Sequence, residues 1–254
     1  MTSSQNISLK GKVAFISGAS KGIGVSIAEK FAAAGADLAL TARNESELEQ
    51  TAANARKHGV KVWTQIAELE DADAVKSLAD AVLSEFGRVD ILVNNAGVAR
   101  HQPFFEVDIE TFHTVINVNL LAPMLLTQAF APGMVERKSG KIVNISSRGA
   151  IRAIPTGATY CASKAALQLM TQTMAVEFGP HNVQANCVAP TVTMTPMGET
   201  AWPPSPRRDA KLAKIPTGRF AEPEEVASTV LYLASPHADF INGVELPIDG
   251  GEGA

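Results

Sequence analysis

Residues 18–24 read Gly18-Ala19-Ser20-Lys21-Gly22-Ile23-Gly24 and directly follow the apolar run Val13–Ser17. The apolar run predicts a buried strand, and Ile23–Ala34 has the length and spacing of a helix. Glycines at a strand-to-helix turn let backbone N–H groups approach a phosphate at the positive end of the helix. The spacing GxxxGxG differs from the commoner GxGxxG, so the stretch alone also fits an ordinary tight turn. Its place in the first strand–helix unit favours a phosphate-binding loop.

The same alternation continues along the chain. Apolar runs predict seven strands, at Val13–Ser17, Asp37–Thr41, Lys61–Ile66, Ile91–Asn94, Lys141–Ser146, Val183–Val188 and Val244–Ile248. Helices are predicted between them, at Ile23–Ala34, Glu45–His58, Asp71–Phe86, Ile109–Glu136, Ala158–Phe178 and Glu222–Ala234. Wholly apolar strands separated by helices predict a parallel sheet covered on both faces. We therefore expect an α/β fold with a doubly wound, Rossmann-type sheet of seven strands, in a single domain over residues 1–254.

The least regular stretch runs from Met197 to Lys211 and includes Trp202-Pro203-Pro204-Ser205-Pro206. A Pro-rich stretch of this kind is either an ordinary surface loop or a lid over an active site. We expect such a substrate lid near residues 197–215, with Trp202 either stacking on the substrate or anchoring an interface.

Composition narrows the class of protein. The 254 residues are 46% hydrophobic and 19% charged with a net charge of −4, and no basic runs occur. Nucleic acid and anionic membrane surfaces are therefore not expected partners. The polar start of the chain, up to Leu9, lacks a signal-peptide stretch, and we expect no segment of roughly 20 apolar residues. Two cysteines and five scattered histidines predict no metal site and a cytoplasmic protein.

The end of the second predicted strand bears on the choice of nucleotide. It reads Thr41-Ala42-Arg43-Asn44, without the acidic residue that binds the 2′-hydroxyl of NAD. Arg43, together with Lys21, would instead suit a 2′-phosphate. Two solvated surface cations are the alternative interpretation. The pattern favours NADP(H) as cofactor.

A second cluster of chemistry lies further along the chain. Tyr160 and Lys164 are four residues apart and therefore share one face of a helix. A neighbouring ammonium lowers the pKa of a tyrosine, which is otherwise about 10. Ser147 lies thirteen residues upstream, at the predicted end of a strand and hence at the ligand-binding edge of a parallel sheet.

Taken together, these features resemble the short-chain dehydrogenase/reductase family. The resemblance rests on the phosphate loop, Asn94-Asn95-Ala96-Gly97, Asn119, Ser147 and Tyr160/Lys164, in the family's order, from about Leu9 to Gly251. It implies that Tyr160 is the general acid in carbonyl reduction and the base in the reverse reaction. Lys164 would lower the tyrosine pKa and bind the nicotinamide ribose, and Ser147 would bind the substrate oxygen. Asn119 would hold a water that relays protons through Lys164.

The resemblance also implies which residues bind the cofactor. They are Gly18, Ser20, Lys21, Gly22, Ile23, Gly24, Arg43, Asn44, Glu68, Leu69, Asn95, Ala96, Gly97, Tyr160, Lys164, Pro190, Thr193 and Thr195. The Thr193 backbone and the Thr195 hydroxyl would meet the carboxamide and the phosphates. Two positions depart from the family pattern: Thr191 replaces the usual Gly, and Glu68 replaces the usual Asp near the adenine.

Within the family the chain is most similar to L-xylulose/dicarbonyl reductases, which use NADPH and form homotetramers. The implied substrate-binding residues are Ser147, Arg148, Ile154, Tyr160 and Trp202. Arg148 and Gly157 depart from the subgroup, which carries Gln and His there. One hypothesis is that Arg148 binds an anionic or dicarbonyl substrate through its guanidinium. The alternative is that Arg148 turns away to pair with an acidic group or a subunit neighbour.

The expected function is interconversion of a small polar carbonyl (a ketose, α-dicarbonyl or keto acid) and its secondary alcohol. A 3-oxoacyl-thioester reductase shares every catalytic residue and is the second candidate. A non-catalytic NADP(H)-binding protein is the third, and it is disfavoured because Tyr160 and Lys164 are both present. The preferred direction and the stereochemistry do not follow from the sequence.

Overall fold

All seven strands run parallel in one sheet, in the order β3-β2-β1-β4-β5-β6-β7. The computed structural model describes residues 7–254, so the first six residues, which belong to the signal-peptide prediction, lie outside the described residues. The strands are β1 Val13–Ser17, β2 Asp37–Ala42, β3 Val62–Ile66, β4 Ile91–Asn94, β5 Gly140–Ile145, β6 Val183–Pro190 and β7 Glu245–Ile248. The predicted seven-stranded, doubly wound sheet is confirmed.

Helices cover both faces of this sheet. They are α1 Ile23–Ala33, α2 Glu45–Arg56, α3 Ala72–Phe86, α4 Ile109–Ile116, α5 Ala122–Arg137, α6 Ala158–Phe178, α7 Pro196–Ala201, α8 Pro206–Leu212 and α9 Pro223–Leu233. Two apolar clusters form the core, one on each face: Phe31 belongs to the first and Phe130 to the second. Because both faces are covered, β1, β5 and β6 are buried along their whole length.

The strand order places the candidate residues on one edge. The sheet grows from β1 in opposite directions, so a crevice opens between the carboxyl ends of β1 and β4. Gly18 follows β1, Asn95 follows β4 and Ser147 follows β5. Since parallel strands end at a common edge, these residues meet although they are far apart in sequence.

The long helix predicted at Ile109–Glu136 is interrupted. Between α4 and α5, residues Asn117–Leu121 form one π-helical turn. Such turns are rare and frequently lie at functional sites. The turn carries the buried Asn119.

One sequence expectation needs correction. By length and composition, the helical span Ile109–Arg137 is apolar enough to cross a membrane. Of its most apolar 18-residue stretch, 44% is buried inside the protein. Its buried side chains include Leu126, Phe130 and Met134, which pack in the core on one face of the sheet. The hydropathy therefore follows at least partly from burial in the core.

The stretch 197–215 is also more regular than the sequence suggested. It contains α7 and α8 rather than an irregular loop. Thr195 and Ser205 cap these helices, accepting hydrogen bonds from Gly198 N at 3.1 Å and Arg208 N at 3.3 Å, and a proline opens each. Hydroxyl caps followed by proline are helix-start signals, which the Pro-rich composition obscured.

Candidate active site

The phosphate loop is closed by glycines that no other residue could replace. A Cβ on Gly24 would overlap the Gly18 carbonyl oxygen, and one on Gly18 would lie 2.8 Å from Cα of Ala96. Gly18 and Gly22 also have positive φ angles of 67° and 55°, which side chains rarely adopt. The loop can therefore bring its backbone against a bound group.

The segment after β4 holds this loop in place. Asn95 donates from Nδ2 to the carbonyl oxygens of Ser17 and Gly18, at 3.0 Å each. The Ser17 hydroxyl accepts from the backbone N–H groups of Asn95 and Ala96, at 3.1 Å each. Asn95 and Ala96, two of the predicted cofactor residues, thus lie against the phosphate loop.

The start of α1 fits an anion. Its first turn carries no acidic residue, and no side chain within residues 7–254 caps it, so its N–H groups and positive dipole end face the loop. Thr195 lies opposite: a Cβ on Gly22 would be 2.7 Å from its Cγ2 methyl. The structure therefore brings Thr195 to the phosphate loop, although its hydroxyl oxygen also caps α7.

The predicted 2′-phosphate residues lie at the carboxyl end of β2. Ala42 is buried, whereas Arg43 is exposed and makes no ion pair with any residue in the range 7–254. Lys21 is held by Glu47 of α2 at 2.8 Å. Asn44 caps α2 by accepting from Glu47 N at 3.0 Å. Arg43 is therefore the better placed of the two cations to bind a phosphate.

The remaining cofactor residues fall into two groups. After β3, Leu69 is buried in the core and Glu68 is exposed. At the end of β6, Pro190 is buried, and Thr193, three residues further on, is 6% exposed.

Ser147, Tyr160 and Ile154 converge on one point. A Cβ on Gly149 would lie 3.3 Å from Ser147 Oγ, 3.3 Å from Tyr160 Cε1 and 3.0 Å from Ile154 Cδ1. Tyr160 lies on the first turn of α6, and Ser147 caps a short 3-10 turn after β5 by accepting from Gly149 N at 3.0 Å. The predicted catalytic hydroxyls and the predicted substrate residue Ile154 are therefore neighbours.

Lys164 and Asn119 meet in the same way at Gly97. A Cβ there would lie 3.4 Å from both Lys164 Nζ and Asn119 Oδ1. Lys164 is 4% exposed, donates to the Ile145 carbonyl at 2.7 Å and lies 6.0 Å from the centre of the Tyr160 ring. The four predicted catalytic residues are thus brought to one edge of the sheet.

The side chain of Asn119 is engaged by other protein groups. Its Oδ1 accepts from Val98 N at 2.9 Å, and its Nδ2 donates to Val98 O at 2.9 Å and Ser163 Oγ at 3.0 Å. Ser163 in turn donates to the Tyr160 carbonyl at 2.7 Å. The side chain therefore ties α6 to the segment after β4, and both N–H groups of its amide are engaged.

The pKa values run differently from the sequence expectation for one of the two key groups. Burial raises the pKa of the Tyr160 phenol, against a smaller opposing effect of the Ser147 hydroxyl, so the predicted lowering by Lys164 does not occur in the protein alone. Burial also lowers the pKa of Lys164 to about 8. A tyrosine that keeps its proton is in the form needed by a general acid.

Arg148, considered above as a substrate ligand, pairs with an acidic residue of the C-terminal segment. Its Nε lies 3.1 Å from Asp249 Oδ2, with the side chains 16% and 10% exposed. A Cβ on Gly253 would overlap the guanidinium, so the C-terminal tail packs directly on it. The structure thus shows the second of the two arrangements considered for Arg148, in which the guanidinium pairs with an acidic group.

Trp202 lies between α7 and α8. The Arg207 guanidinium lies 4.3 Å from the centre of its ring, and the Phe220 ring lies 6.1 Å away. Arg208 donates to its carbonyl oxygen at 2.9 Å. These contacts hold Trp202 against α8 and Phe220. We call Arg148, residues 150–157, α7–α8 and residues 249–254 together the outer wall; Gly149 belongs with Ser147 and Tyr160 to the carboxyl edge of the sheet.

Several residues escaped the sequence analysis. Gly149 contacts Ser147 and Tyr160, and Ser163 contacts Asn119. For Gly149 the only sequence signal was its position two residues after Ser147. Asp249 lies about a hundred residues from Arg148, and Glu252 lies 41, 61 and 100 residues from Lys211, Thr191 and Arg152, so no local pattern marks these contacts. His101 is a further neighbour of the site, with its ring centre 6.4 Å from that of Tyr160.

The whole chain is similar to known oxidoreductases. A family model described as enoyl-(acyl carrier protein) reductase matches residues 18–252. D-threitol dehydrogenase of Mycolicibacterium smegmatis is 40% identical over 99% of this chain and 98% of its own, and L-xylulose reductase of Mus musculus is 41% identical over 97% and 98%. The 3-oxoacyl-(acyl-carrier-protein) reductase of Thermotoga maritima is 38% identical over 96% and 98%.

Solved structures agree. A putative short-chain alcohol dehydrogenase from Sinorhizobium meliloti superposes with a TM-score of 0.93 at 35% identity, covering 96% of this chain and 97% of the other. A gluconate 5-dehydrogenase from Burkholderia cenocepacia, solved with NADP and tartrate, gives 0.91 at 32% identity, covering 97% of each. The motifs, the fold and these likenesses agree, and the chain belongs to the short-chain dehydrogenase/reductase family of oxidoreductases.

Proposed function

We propose that this oxidoreductase is an NADP(H)-dependent reductase of small polyhydroxylated ketones and α-dicarbonyls, reversible toward the secondary alcohol. The observation that carries the proposal is the convergence of Ser147 Oγ and Tyr160 on Gly149, beside the buried Lys164. A serine hydroxyl and a phenol that lie side by side, with the Ser147 hydroxyl hydrogen-bonded to the phenol, can together bind and protonate a carbonyl oxygen.

Each residue has one task in this proposal. The Ser147 hydroxyl hydrogen-bonds the substrate oxygen as negative charge develops on it. Tyr160 donates its phenolic proton to that oxygen, and in alcohol oxidation accepts a proton back. Lys164, held by the Ile145 carbonyl, keeps an ammonium beside the phenol and binds the ribose hydroxyls. The bound nucleotide supplies or accepts the hydride.

NADP(H) is proposed over NAD(H) because of the carboxyl end of β2. Ala42 stands where an acidic ribose ligand would be expected, and the exposed Arg43 follows it. A guanidinium matches the geometry of a phosphate with two parallel hydrogen bonds. The gluconate dehydrogenase structure that resembles this chain contains NADP.

The substrate class is argued from two sides. The relatives named for threitol and xylulose act on polyhydroxylated molecules, which need hydroxyl partners rather than a fixed cation. Arg148, the cation that would have favoured keto acids, is paired with Asp249. We therefore place ketoses and α-dicarbonyls before keto acids.

The second candidate is a 3-oxoacyl-thioester reductase. It is favoured by the Thermotoga maritima relative and by the description of the family model. The two candidates need the same catalytic residues and differ in whether a long thioester is reduced. A protein that binds NADP(H) without turnover is disfavoured, since Tyr160, Lys164, Ser147 and Asn119 are brought together.

We further propose that the protein is cytoplasmic and forms a homotetramer. Ile109 and Phe112 on α4, and Leu169 and Val176 on α6, expose 41–77% of their area. Apolar side chains on adjacent helices are suited to association with a second copy. Sedimentation velocity of the purified protein would give the mass; a monomer at micromolar concentration contradicts the proposal.

The function is tested by following NADPH oxidation across L-xylulose, erythrulose, diacetyl, 2-keto acids and a 3-oxoacyl thioester. NADP⁺ with threitol and xylitol gives the reverse direction. We expect the highest kcat/KM for a ketose or diacetyl. A thioester that leads the series would transfer the assignment to the second candidate, and no turnover with any compound would reject both.

A further inference from the structure

Glu252, two residues from the end of the chain, contacts three separate segments. Its Oε1 lies 2.5 Å from Lys211 Nζ and 3.4 Å from Arg152 Nη1, and its Oε2 accepts from Thr191 Oγ1 at 2.6 Å. The side chain is only 4% exposed. Both oxygens of this buried carboxylate have partners, two cations and a hydroxyl, which distinguishes it from a surface ion pair. We call this set of contacts the junction.

Each of the three partners lies on a segment that borders the candidate active site. Lys211 is on α8. The preceding helix, α7, is capped by Thr195, which lies against the phosphate loop. Arg152 belongs to the stretch that continues to Ile154, beside Ser147 and Tyr160. Thr191 directly follows β6. Glu252 therefore joins three segments that border the candidate active site.

The tail that carries Glu252 is itself anchored. Arg148 pairs with Asp249 at 3.1 Å, and Gly253 N donates to Asp249 Oδ2 at 3.1 Å. The two arginines are four residues apart and the two carboxylates three apart. The ion pairs Arg148–Asp249 and Arg152–Glu252 therefore lie side by side. This arrangement gives Arg148 a structural role in place of the substrate role.

The junction also accounts for Thr191, where the family usually has Gly. A glycine could offer Glu252 no hydroxyl, whereas Thr191 donates one at 2.6 Å. The departure from the family pattern and the tail carboxylate are therefore parts of one contact.

We propose that Glu252 is a positioning residue that latches α8 and the 148–157 stretch onto the end of β6, and thereby sets the affinity for the carbonyl substrate. This inference rests on the proposed function for its kinetic consequence only. The latch itself concerns the order of α8 and is measurable without substrate.

The test compares Glu252→Gln, Glu252→Ala and Lys211→Met with wild type by hydrogen exchange of the backbone amides of residues 206–214. We expect exchange to accelerate about tenfold or more in the Glu252→Ala protein, because charge-assisted hydrogen bonds carry ~1.5–3 kcal/mol and ~1.4 kcal/mol is tenfold. Lys214→Met is the matched control: Lys214 is exposed and makes no ion pair within residues 7–254.

A kinetic arm separates positioning from general destabilisation. With the best substrate, Glu252→Gln and Lys211→Met should raise KM several-fold while kcat and the KM for NADPH stay within about twofold. The double variant should be less than additive, since both changes open the same contact. Amides of α1 and α3 report whether the whole protein is destabilised.

Two results would overturn the inference. Exchange of 206–214 that is equal in Lys211→Met and Lys214→Met rejects the latch. A Glu252→Ala protein with faster exchange throughout α1, α3 and α8 shows a global loss of stability, and also rejects it. If no compound is turned over, the exchange result still stands, so failure of the proposed function is recognised separately.

Discussion

The carboxyl edge of the sheet and the outer wall face the same space but are built differently. At the edge, Asn95, Ser147 and Lys164 are held by backbone groups of neighbouring strands and turns. In the outer wall, the contacts are ion pairs between side chains far apart in sequence, such as Arg148–Asp249 and Lys211–Glu252. The edge therefore depends on the fold as a whole, whereas the wall depends on a few individual residues.

This difference predicts where mutations act. Changes at the edge should affect chemistry and cofactor binding for every substrate alike. Changes in the wall should alter the choice and affinity of substrate while the chemical step is preserved. The following variants separate the two regions, beginning with the largest effect.

Tyr160→Phe removes the transferable proton and keeps the ring in place. Turnover should fall by about 10²–10⁴-fold, the usual contribution of a general acid–base group, while NADPH still binds. Steady-state rates and NADPH fluorescence titration measure the two quantities. Tyr232→Phe is the control, since Tyr232 is the other tyrosine and is exposed. More than about a tenth of the rate left in Tyr160→Phe would mean that another group is the acid.

Ala42→Asp combined with Arg43→Leu replaces a phosphate partner with a hydroxyl acceptor. The ratio of kcat/KM for NADPH over NADH should drop by about one or more powers of ten, because each charge-assisted contact carries ~1.5–3 kcal/mol. Arg43→Leu alone should lower kcat/KM for NADPH without raising kcat/KM for NADH. A wild-type enzyme that already prefers NADH contradicts the assignment of Arg43.

The buried Lys164 should appear in the pH profile. Its pKa is lowered to about 8 by burial, so the charged form is present below pH 8 and is lost above it. Because the ammonium assists cofactor binding, kcat/KM for NADPH should fall about tenfold between pH 7 and pH 9, and this profile reports the free enzyme. Lys164→Arg, which does not titrate in this range, should lose the descending limb, even at a lower overall rate. An unchanged limb would assign it to a different group.

Gly149→Ala tests the tight convergence at the edge. The added methyl would meet Ser147 Oγ, Tyr160 Cε1 and Ile154 Cδ1 at 3.0–3.3 Å. Overpacking forces the neighbouring side chains to shift, and because these neighbours include Ser147 and Tyr160, their misplacement should lower kcat about fivefold or more. Gly133→Ala on α5, which meets only the flexible Arg137 side chain at 2.9 Å, should leave kcat unchanged. Equal effects of the two substitutions would reject the proposed geometry around Gly149.

The sequence was sufficient for the edge because its information is local or topological. Apolar runs predicted every strand, and the rule that parallel strands end together brought Gly18, Asn95 and Ser147 to one place. The outer wall could not be predicted in this way. Arg148 pairs with a residue about a hundred positions away, and Thr195-Pro196 and Ser205-Pro206 start helices inside a stretch whose prolines suggested a loop. The direction of the Tyr160 pKa could not be predicted because it is set by burial, which depends on packing and outweighs the lowering effect of the Ser147 hydroxyl.

The most direct test of the account follows the hydride itself. Wild-type protein is given its best ketone together with NADPH carrying deuterium at either the pro-R or the pro-S position of C4, and the alcohol is analysed by mass spectrometry. Transfer to the carbonyl carbon predicts one deuterium at the carbinol carbon from one of the two labels and none from the other. Consumption of NADPH with no deuterium in the alcohol from either label would contradict the proposed reduction.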